Sequence, residues 1–175
     1  MIESVLLSSV LGALAPREAP FTPVRLSRSY IQHLVAPPAE IFPLLGPAGE
    51  RKWAKGWNPR FLYPATAPDE EGSVFATPHE TGETYWVLSR FDRAALKVQY
   101  VQFRPGERIT VIQVALAPDG ARGTAAEVRY TWTVLAPSSL PFLEAHRGHA
   151  FDDAMADWES QINACLARAA GEPRP

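Results

Sequence analysis

The feature that most constrains the fold is the distribution of proline. The chain has 17 prolines in 175 residues, yet between Pro78 and Pro137 it has only Pro105 and Pro118. Each of these two precedes a glycine by one or two positions, as in a turn. Because proline lacks the backbone N–H that a β-ladder needs, it is excluded from central strands and collects at their ends. The stretch 79–136 is therefore predicted to be a run of β-strands.

Four consecutive strands are predicted within this run, which is rich in Val, Ile, Thr, Tyr and Trp, the residues that suit a pleated surface. Their short connections favour an antiparallel meander. Three further strands are predicted upstream. The seven predicted strands are 24–35, 61–63, 73–77, 83–92, 95–104, 107–117 and 123–135.

Helices are predicted at the edges of the sheet. Prolines and an acidic residue open a short helix in "PPAEIFPLLGP", and a second brief turn follows in "GPAGERKWAKGWNP". One long helix is predicted over 138–170, because apolar side chains recur there at spacings of three and four. This apolar stripe consists of Phe151, Met155, Trp158, Ile162, Leu166 and Ala169. A sheet closed by one amphipathic helix has a concave face that the helix covers incompletely.

The bulk composition indicates one globular domain, predicted over 24–170 with a tail at 171–175. A formal net charge of −2 and a pI near 6.1 provide no basic footprint for nucleic acid, so no nucleic-acid partner is expected.

Residues 1–23 are predicted to be an extension, either a short helix or flexible. Their apolar stretch is shorter than the roughly 20 residues of an integral membrane span, and no Lys or Arg precedes it as in a secretion signal. We therefore expect a cytoplasmic protein, with an atypical N-terminal signal as the alternative.

Several blocks of the sequence, in order, resemble the START-like superfamily, also called SRPBCC or helix-grip, in its polyketide cyclase/dehydrase-like and pollen-allergen-like branch. The resemblance covers residues 24–168. It is carried by "VAPPAEIFPLL", "GERKWAKGWNPRFLYP", "GSVFATPHETGETYWVLSRFD", "VQFRPGERITVIQV", "GTAAEVRYTWTVL" and "FDDAMADWESQINACL".

The resemblance implies an α+β helix-grip fold. In this fold a curved antiparallel sheet of six or seven strands wraps around a long C-terminal helix, and two short helices follow the first strand. It also implies a hydrophobic ligand cavity between the sheet and the long helix. It implies no universal catalytic residue, since this fold hosts carriers, cyclases and regulators alike.

Aromatic side chains are the candidate ligand contacts. Strand alternation places Tyr130 and Trp132 on the side of the last strand that should face the helix, and by the same argument Tyr100 and Trp86 point inward. Trp53 and Trp57 either anchor an irregular loop to the sheet or line the entrance of the cavity. Each aromatic has the alternative of simply filling the core. The predicted ligand-binding set is Trp53, Trp57, His79, Trp86, Tyr100, Tyr130, Trp132, Phe151 and Met155.

The histidines and the single cysteine offer few candidates for chemistry. His79 lies beside an acidic turn, and three roles are open for it: a general base, a polar contact at the cavity mouth, or an ordinary strand-end residue. The last of these is favoured. His146, His149 and Asp153 share one face of the predicted helix, opposite the apolar stripe. We therefore expect all three to face solvent and predict no metal site. Cys165, the only cysteine, is expected to be a packed thiol.

No P-loop, dinucleotide fingerprint, Gly-x-Ser-x-Gly elbow or zinc motif is present in the sequence, so no cofactor is predicted. The favoured function is binding of a small hydrophobic molecule (a lipid, an aromatic or a polyketide-like compound) as a carrier or sensor. Two alternatives stay open: a cofactor-independent enzyme of the cyclase/dehydratase type, and a protein-interaction module.

Overall fold

The computed structural model describes residues 21–66, 69–79 and 82–171. Seven antiparallel strands form one sheet in the order β1-β7-β6-β5-β4-β3-β2, which confirms the predicted strand number and pairing. Most of the predicted extension, and the tail beyond Gly171, lie outside the described residues. The strands are β1 (Val24–Leu34), β2 (Arg60–Tyr63), β3 (Val74–His79), β4 (Gly82–Asp92), β5 (Lys97–Arg104), β6 (Arg108–Asp119) and β7 (Gly123–Val134).

Short helical turns connect β1 to β2, and helices follow β7, as the helix-grip fold requires. Proline at the third position after Glu40 ends the first helix early, because a proline ring clashes with the carbonyl one turn back. The helical elements are α1 (Pro38–Ile41), 3-10 turns at Phe42–Leu44, Gly49–Lys52 and Pro137–Ser139, α2 (Leu140–Arg147) and α3 (Ala150–Gly171).

The prediction of one continuous helix over 138–170 is wrong, because the chain breaks at Gly148 between α2 and α3. Glycine is a poor helix former, costing about 1 kcal/mol relative to alanine in a helix interior. The break also leaves carbonyl oxygens without helical partners. The guanidinium of Arg28 on β1 supplies the partners: its Nη1 donates to the carbonyls of His146, Arg147 and Gly148, each at 3.0 Å.

Helix α3 lies along β1, which is an edge strand of the sheet. The backbone N–H of His33 donates to the Glu159 carboxylate at 3.1 Å, and that of Val35 donates to the side-chain oxygen of Asn163 at 3.0 Å. The Asn163 amide returns a hydrogen bond to the His33 carbonyl at 3.0 Å. Side chains of α3 therefore satisfy polar groups that an edge strand would otherwise expose.

The core lies between the concave face of the sheet and α3. Val128 and Trp132 of β7 are buried there, whereas Glu127 and Arg129 are exposed on the opposite face, as strand alternation predicts. From α3, the core receives Phe151, Met155 and Ile162.

Candidate functional site

A small cavity lies between the sheet, α3 and the segment that links β1 to β2. Its volume is about 40 Å³, little more than the space of one water molecule. Four of the nine predicted ligand residues line it: Trp53, Trp57, Trp86 and Tyr100. The remaining lining residues are Gln32, Leu45, Glu50, Ile112, Val114, Val128, Trp158 and Ile162.

An open depression of about 260 Å³ lies next to this cavity. Its outer rim is the loop 54–58 together with Thr77 and Pro78. Glu50, Trp57 and Trp158 line both the depression and the inner cavity. These three side chains therefore separate the two spaces.

Aromatic rings in contact with one another build the wall of the cavity on the side of the sheet. Trp86 stacks on Phe75 with ring centroids 5.7 Å apart. Trp57 meets both rings edge to face, at 5.4 Å from Trp86 and 5.8 Å from Phe75. Tyr100 lies perpendicular to the same two rings at 6.1 Å. Such pairs add to the stability gained by burial alone, so this wall is a firmly packed surface.

The tryptophans of the β1–β2 segment both anchor it and line the cavity, which combines the two alternatives that the sequence leaves open. The indole N–H of Trp53 donates to the carbonyl of Leu44 at 2.7 Å. That of Trp57 donates to the carbonyl of Pro47 at 2.8 Å. These bonds fix each ring relative to its own loop.

Four further predicted residues lie together beside the cavity rather than in its lining. Trp132, Phe151 and Met155 are buried in the core, and Tyr130 packs against Trp132 and Phe151 with centroids 5.3 and 5.6 Å apart. Tyr130 also approaches Trp158, with ring centroids 6.2 Å apart. The contribution of these four residues to ligand binding stays a prediction.

His79 is separate from the cavity. It ends β3, and its Nε2 contacts the guanidinium of Arg104. It lines a surface depression together with Glu83, Tyr85 and other residues, none of which lines the inner cavity. This position agrees with the favoured interpretation of His79 as a strand-end residue.

Glu50 is the residue that sequence reasoning missed. Only 8% of it is exposed, and its carboxyl lies 3.4 Å from the hydroxyl of Tyr100. That hydroxyl donates its hydrogen to the carbonyl of Leu45 at 2.6 Å. One hydroxyl hydrogen cannot serve both acceptors well, whereas a neutral Glu50 can itself donate to the Tyr100 oxygen.

Burial raises the pKa of Glu50 well above its ordinary value. The hydrogen bond with Tyr100 lowers this pKa in part, and the nearby charge of Asp69 raises it further. Burial likewise raises the pKa of Tyr100, and the charge of Glu50 contributes. Burial and Glu50 also raise the pKa of Tyr130. The cavity therefore favours neutral forms of all three groups. In the sequence, Glu50 precedes Arg51 and Lys52, a pattern that looks like an ordinary solvated turn.

The local chain path explains how Glu50 comes to be buried. A side chain at Gly49 would meet the carbonyl oxygen of Pro43 at 2.1 Å, so only glycine allows the turn to pack this closely. The carboxylate of Asp69 accepts hydrogen bonds from the N–H groups of Ala48 and Gly49, at 2.6 and 3.0 Å. Asp69 thereby clamps the turn that directs Glu50 inward.

The expectation that His146, His149 and Asp153 all face solvent is wrong for His146. Its ring packs on Phe142 and Trp132, with centroids 4.0 and 5.0 Å away, because the break at Gly148 gives α2 a helical phase of its own. His149 and Asp153 are exposed. Among the described residues, no three or more His, Cys, Asp or Glu side chains are grouped to hold a metal ion.

Comparisons with known proteins establish the fold. Norcoclaurine synthase from Thalictrum flavum, solved with dopamine and hydroxybenzaldehyde, matches with a TM-score of 0.60 at 12% identity, over 87% of this chain and 91% of that one. Ara h 8.0201 matches with a TM-score of 0.61 at 14% identity, over 82% of this chain and 99% of that one. An uncharacterised protein from Rhizobium leguminosarum matches with a TM-score of 0.58 at 12% identity, over 84% and 97%.

These neighbours confirm the helix-grip fold. No protein-family model matches the sequence, and no curated protein is significantly similar to it. Within the described ranges, every helix is too short or too polar to cross a membrane.

Proposed function

We propose that this protein binds a small, largely apolar molecule between the sheet and α3, as a carrier or sensor. The observation that carries the proposal is the sharing of Glu50, Trp57 and Trp158 between the inner cavity and the outer depression. Movement of the loop that carries Trp57 would therefore merge the two spaces.

The sizes of the two spaces explain why such a movement is needed. Ligand pockets begin at about 300 Å³, far above the 40 Å³ of the inner cavity. The depression adds about 260 Å³. We propose that the ligand displaces Trp57 and occupies the merged space.

The loop that carries Trp57 is suited to this movement. Gly56 precedes it with a φ of +78°, and a side chain there would meet nothing within 4 Å. The loop is held to α3 by a hydrogen bond from the Lys55 N–H to the Gln161 side chain, at 2.8 Å. Loops with few such ties move more readily than the elements that they connect.

The lining favours a flat or compact apolar guest, because most of it is aromatic and aliphatic. The structure of norcoclaurine synthase holds dopamine and hydroxybenzaldehyde, so this fold accommodates single-ring aromatic molecules in at least one protein. That precedent supports the size class of the ligand proposed here.

A second candidate function is acid–base catalysis without a cofactor. It is favoured by one specific observation, the buried carboxyl of Glu50 beside the hydroxyl of Tyr100. A carboxyl with a raised pKa in an apolar cavity can donate a proton to a bound substrate or accept one from it. A Glu50→Gln variant that binds the ligand but no longer converts it would favour the enzyme over the carrier.

The proposal is tested by binding of a neutral fluorescent probe, N-phenyl-1-naphthylamine. We expect saturable binding to the wild type at micromolar concentrations. Ile112→Phe, which fills the cavity, should weaken binding about tenfold or more, whereas Ile31→Phe on an exposed site should leave it unchanged. Circular dichroism verifies that both variants are folded.

Two results would contradict the proposal: absence of saturable binding to the wild type, or equal binding by both variants. A protein-interaction module would then be the better account. Native mass spectrometry of protein purified from its source provides an independent search for a co-purifying small molecule.

A further inference from the structure

We propose that the ligand of this cavity is a small organic cation, an ammonium group carried on an apolar body, held by the Glu50 carboxylate and the surrounding aromatic rings. This inference rests on the proposed function, because it specifies the chemical class that the same cavity selects.

The charge around the cavity favours a cationic guest. Among the described residues that line it, Glu50 is the single acid, and there is no Lys, Arg or His. Asp69, behind the turn, adds negative charge in the neighbourhood of Glu50. The inner cavity therefore contains one acid, which is negative when deprotonated, and no basic side chain in its lining to balance that charge.

The basic residues near Glu50 in the sequence are turned elsewhere. Arg51 donates to the carbonyl of Pro59 at 2.7 Å and stacks over Phe61 at 5.3 Å. Lys55 lines the outer depression but not the inner cavity. A buried acid ordinarily has a cationic or strongly hydrogen-bonding partner. Here the partner within the described chain is the Tyr100 hydroxyl at 3.4 Å, a weak contact.

The aromatic walls of the cavity also favour a cationic guest. Five of the lining side chains are aromatic, and four of these are tryptophan, the ring that attracts cations most strongly through its electron-rich face. Groups of aromatic rings combined with a carboxylate are suited to ammonium recognition, since the rings replace part of the lost hydration. The five are Trp53, Trp57, Trp86, Tyr100 and Trp158.

The acid and the aromatic rings together favour a cation over an anionic or a neutral ligand. An anion would meet the charge of Asp69 and find no basic group in the lining of the inner cavity. A neutral guest would leave Glu50 protonated. An ammonium ion stabilises the carboxylate form, so Glu50 releases its proton when the guest binds. The other titratable groups that face Glu50, Tyr100 and Tyr130, stay neutral because burial raises the pKa of each.

The test compares benzylamine with benzyl alcohol, two probes of nearly equal shape, by displacement of N-phenyl-1-naphthylamine at neutral pH. We expect the wild type to bind the amine about tenfold or more tightly than the alcohol. Glu50→Gln should lose this preference and bind the two compounds with similar affinity. Glu127→Gln, on the exposed face of β7, should retain the preference.

Each result separates this inference from the proposed function. If the wild type binds the alcohol as tightly as the amine, the cation inference is overturned and the apolar cavity stands. If the amine is preferred equally by Glu50→Gln, the assignment to Glu50 is overturned. If N-phenyl-1-naphthylamine binds but neither compound displaces it, the cation inference alone is overturned; if N-phenyl-1-naphthylamine itself does not bind, both proposals fail.

A second measurement supports or contradicts the inference without relying on affinity. Titration calorimetry of benzylamine in buffers of different ionisation enthalpy reports protons released on binding. We expect release by the wild type and none by Glu50→Gln; equal release by both would contradict the role of Glu50.

Discussion

Arg28 and Asp152 join the first strand to the last helix: Nη2 of Arg28 donates to both carboxylate oxygens of Asp152, at 2.8 and 2.9 Å. A second guanidinium nitrogen, Nη1, donates to the last two carbonyls of α2 and to that of Gly148. Asp152 lies in the first turn of α3, where a negative charge is favourable. A single side chain of β1 therefore fixes the corner at which α2 ends and α3 begins.

We expect Arg28→Ala to lower the free energy of unfolding by about 2 kcal/mol, because charge-assisted hydrogen bonds to the helix corner are lost. Partial exposure of both side chains keeps the loss at this level. Lysine at position 28 should recover little, since it lacks the planar fork of arginine. Urea denaturation measures the effect, with Arg25→Ala on the exposed side of β1 as the control. Equal losses in both variants would show that the corner does not depend on Arg28.

Because of Glu50, the free energy of unfolding should fall as the pH rises. Its pKa in the folded protein is raised above the ordinary value of 4.5, so folding favours the protonated form. The contribution is complete below pH 4.5 and is lost as the pH rises through the raised pKa. We expect the unfolding free energy of Glu50→Gln to exceed that of the wild type near neutral pH and the difference to shrink toward pH 4.5.

Urea denaturation of the two proteins across this pH range measures the difference. Glu127→Gln, whose carboxyl is exposed, should follow the wild type at every pH. A constant difference between Glu50→Gln and the wild type would mean that Glu50 is ionised throughout.

Trp158 should contribute strongly to stability although it is only half-buried. Its ring packs edge to face on Trp53 at 5.6 Å and on Tyr130 at 6.2 Å. We expect Trp158→Ala to cost about 3 kcal/mol, the lower end of large aromatic truncations, because one side of the ring borders the cavity. Phe103→Ala on the exposed face should cost much less. A denaturation midpoint near that of the wild type would show a loosely packed cavity wall.

Gly56 should affect ligand access more than stability. Gly56→Ala strains a backbone of positive φ, which costs about 1–2 kcal/mol. Gly120→Ala carries the same strain, at a φ of +63°, in the turn between β6 and β7. We expect similar losses of stability in both, and slower probe association in Gly56→Ala alone by stopped-flow fluorescence. Equal association rates would argue against movement of the loop that carries Trp57.

Most of the sheet follows from sequence patterns that act locally. Proline exclusion, turn residues and strand alternation determine the meander and the inward faces of β4, β5 and β7, because each depends on a few neighbouring residues. The helix break at Gly148 is harder to foresee. A lone glycine is tolerated inside many helices, and here the break is stabilised by Arg28, more than 100 positions earlier.

The candidate site is harder to predict from the sequence than the fold is. The size of a tryptophan side chain favours its burial, so the sequence indicates where the aromatic residues lie. Four of the predicted aromatic residues line the cavity. The burial of Glu50 depends on distant contacts, the clamp of Asp69 on the turn and the approach of Gly49 to the Pro43 carbonyl. No local pattern separates such a carboxyl from a solvated one.

The sheet order places β1 and β2 at opposite edges, and β1 pairs with β7 in a register that joins Val24 to Val134. Residues from near the beginning, the middle and near the end of the described chain form the walls of the cavity. No single local segment can therefore form the cavity before the whole sheet is folded. The pairing of β1 with β7 joins distant parts of the chain, and pairings of this kind slow folding. A ligand of this cavity therefore binds only the fully folded protein. Because the cavity forms late, ligand binding should slow unfolding far more than it speeds folding.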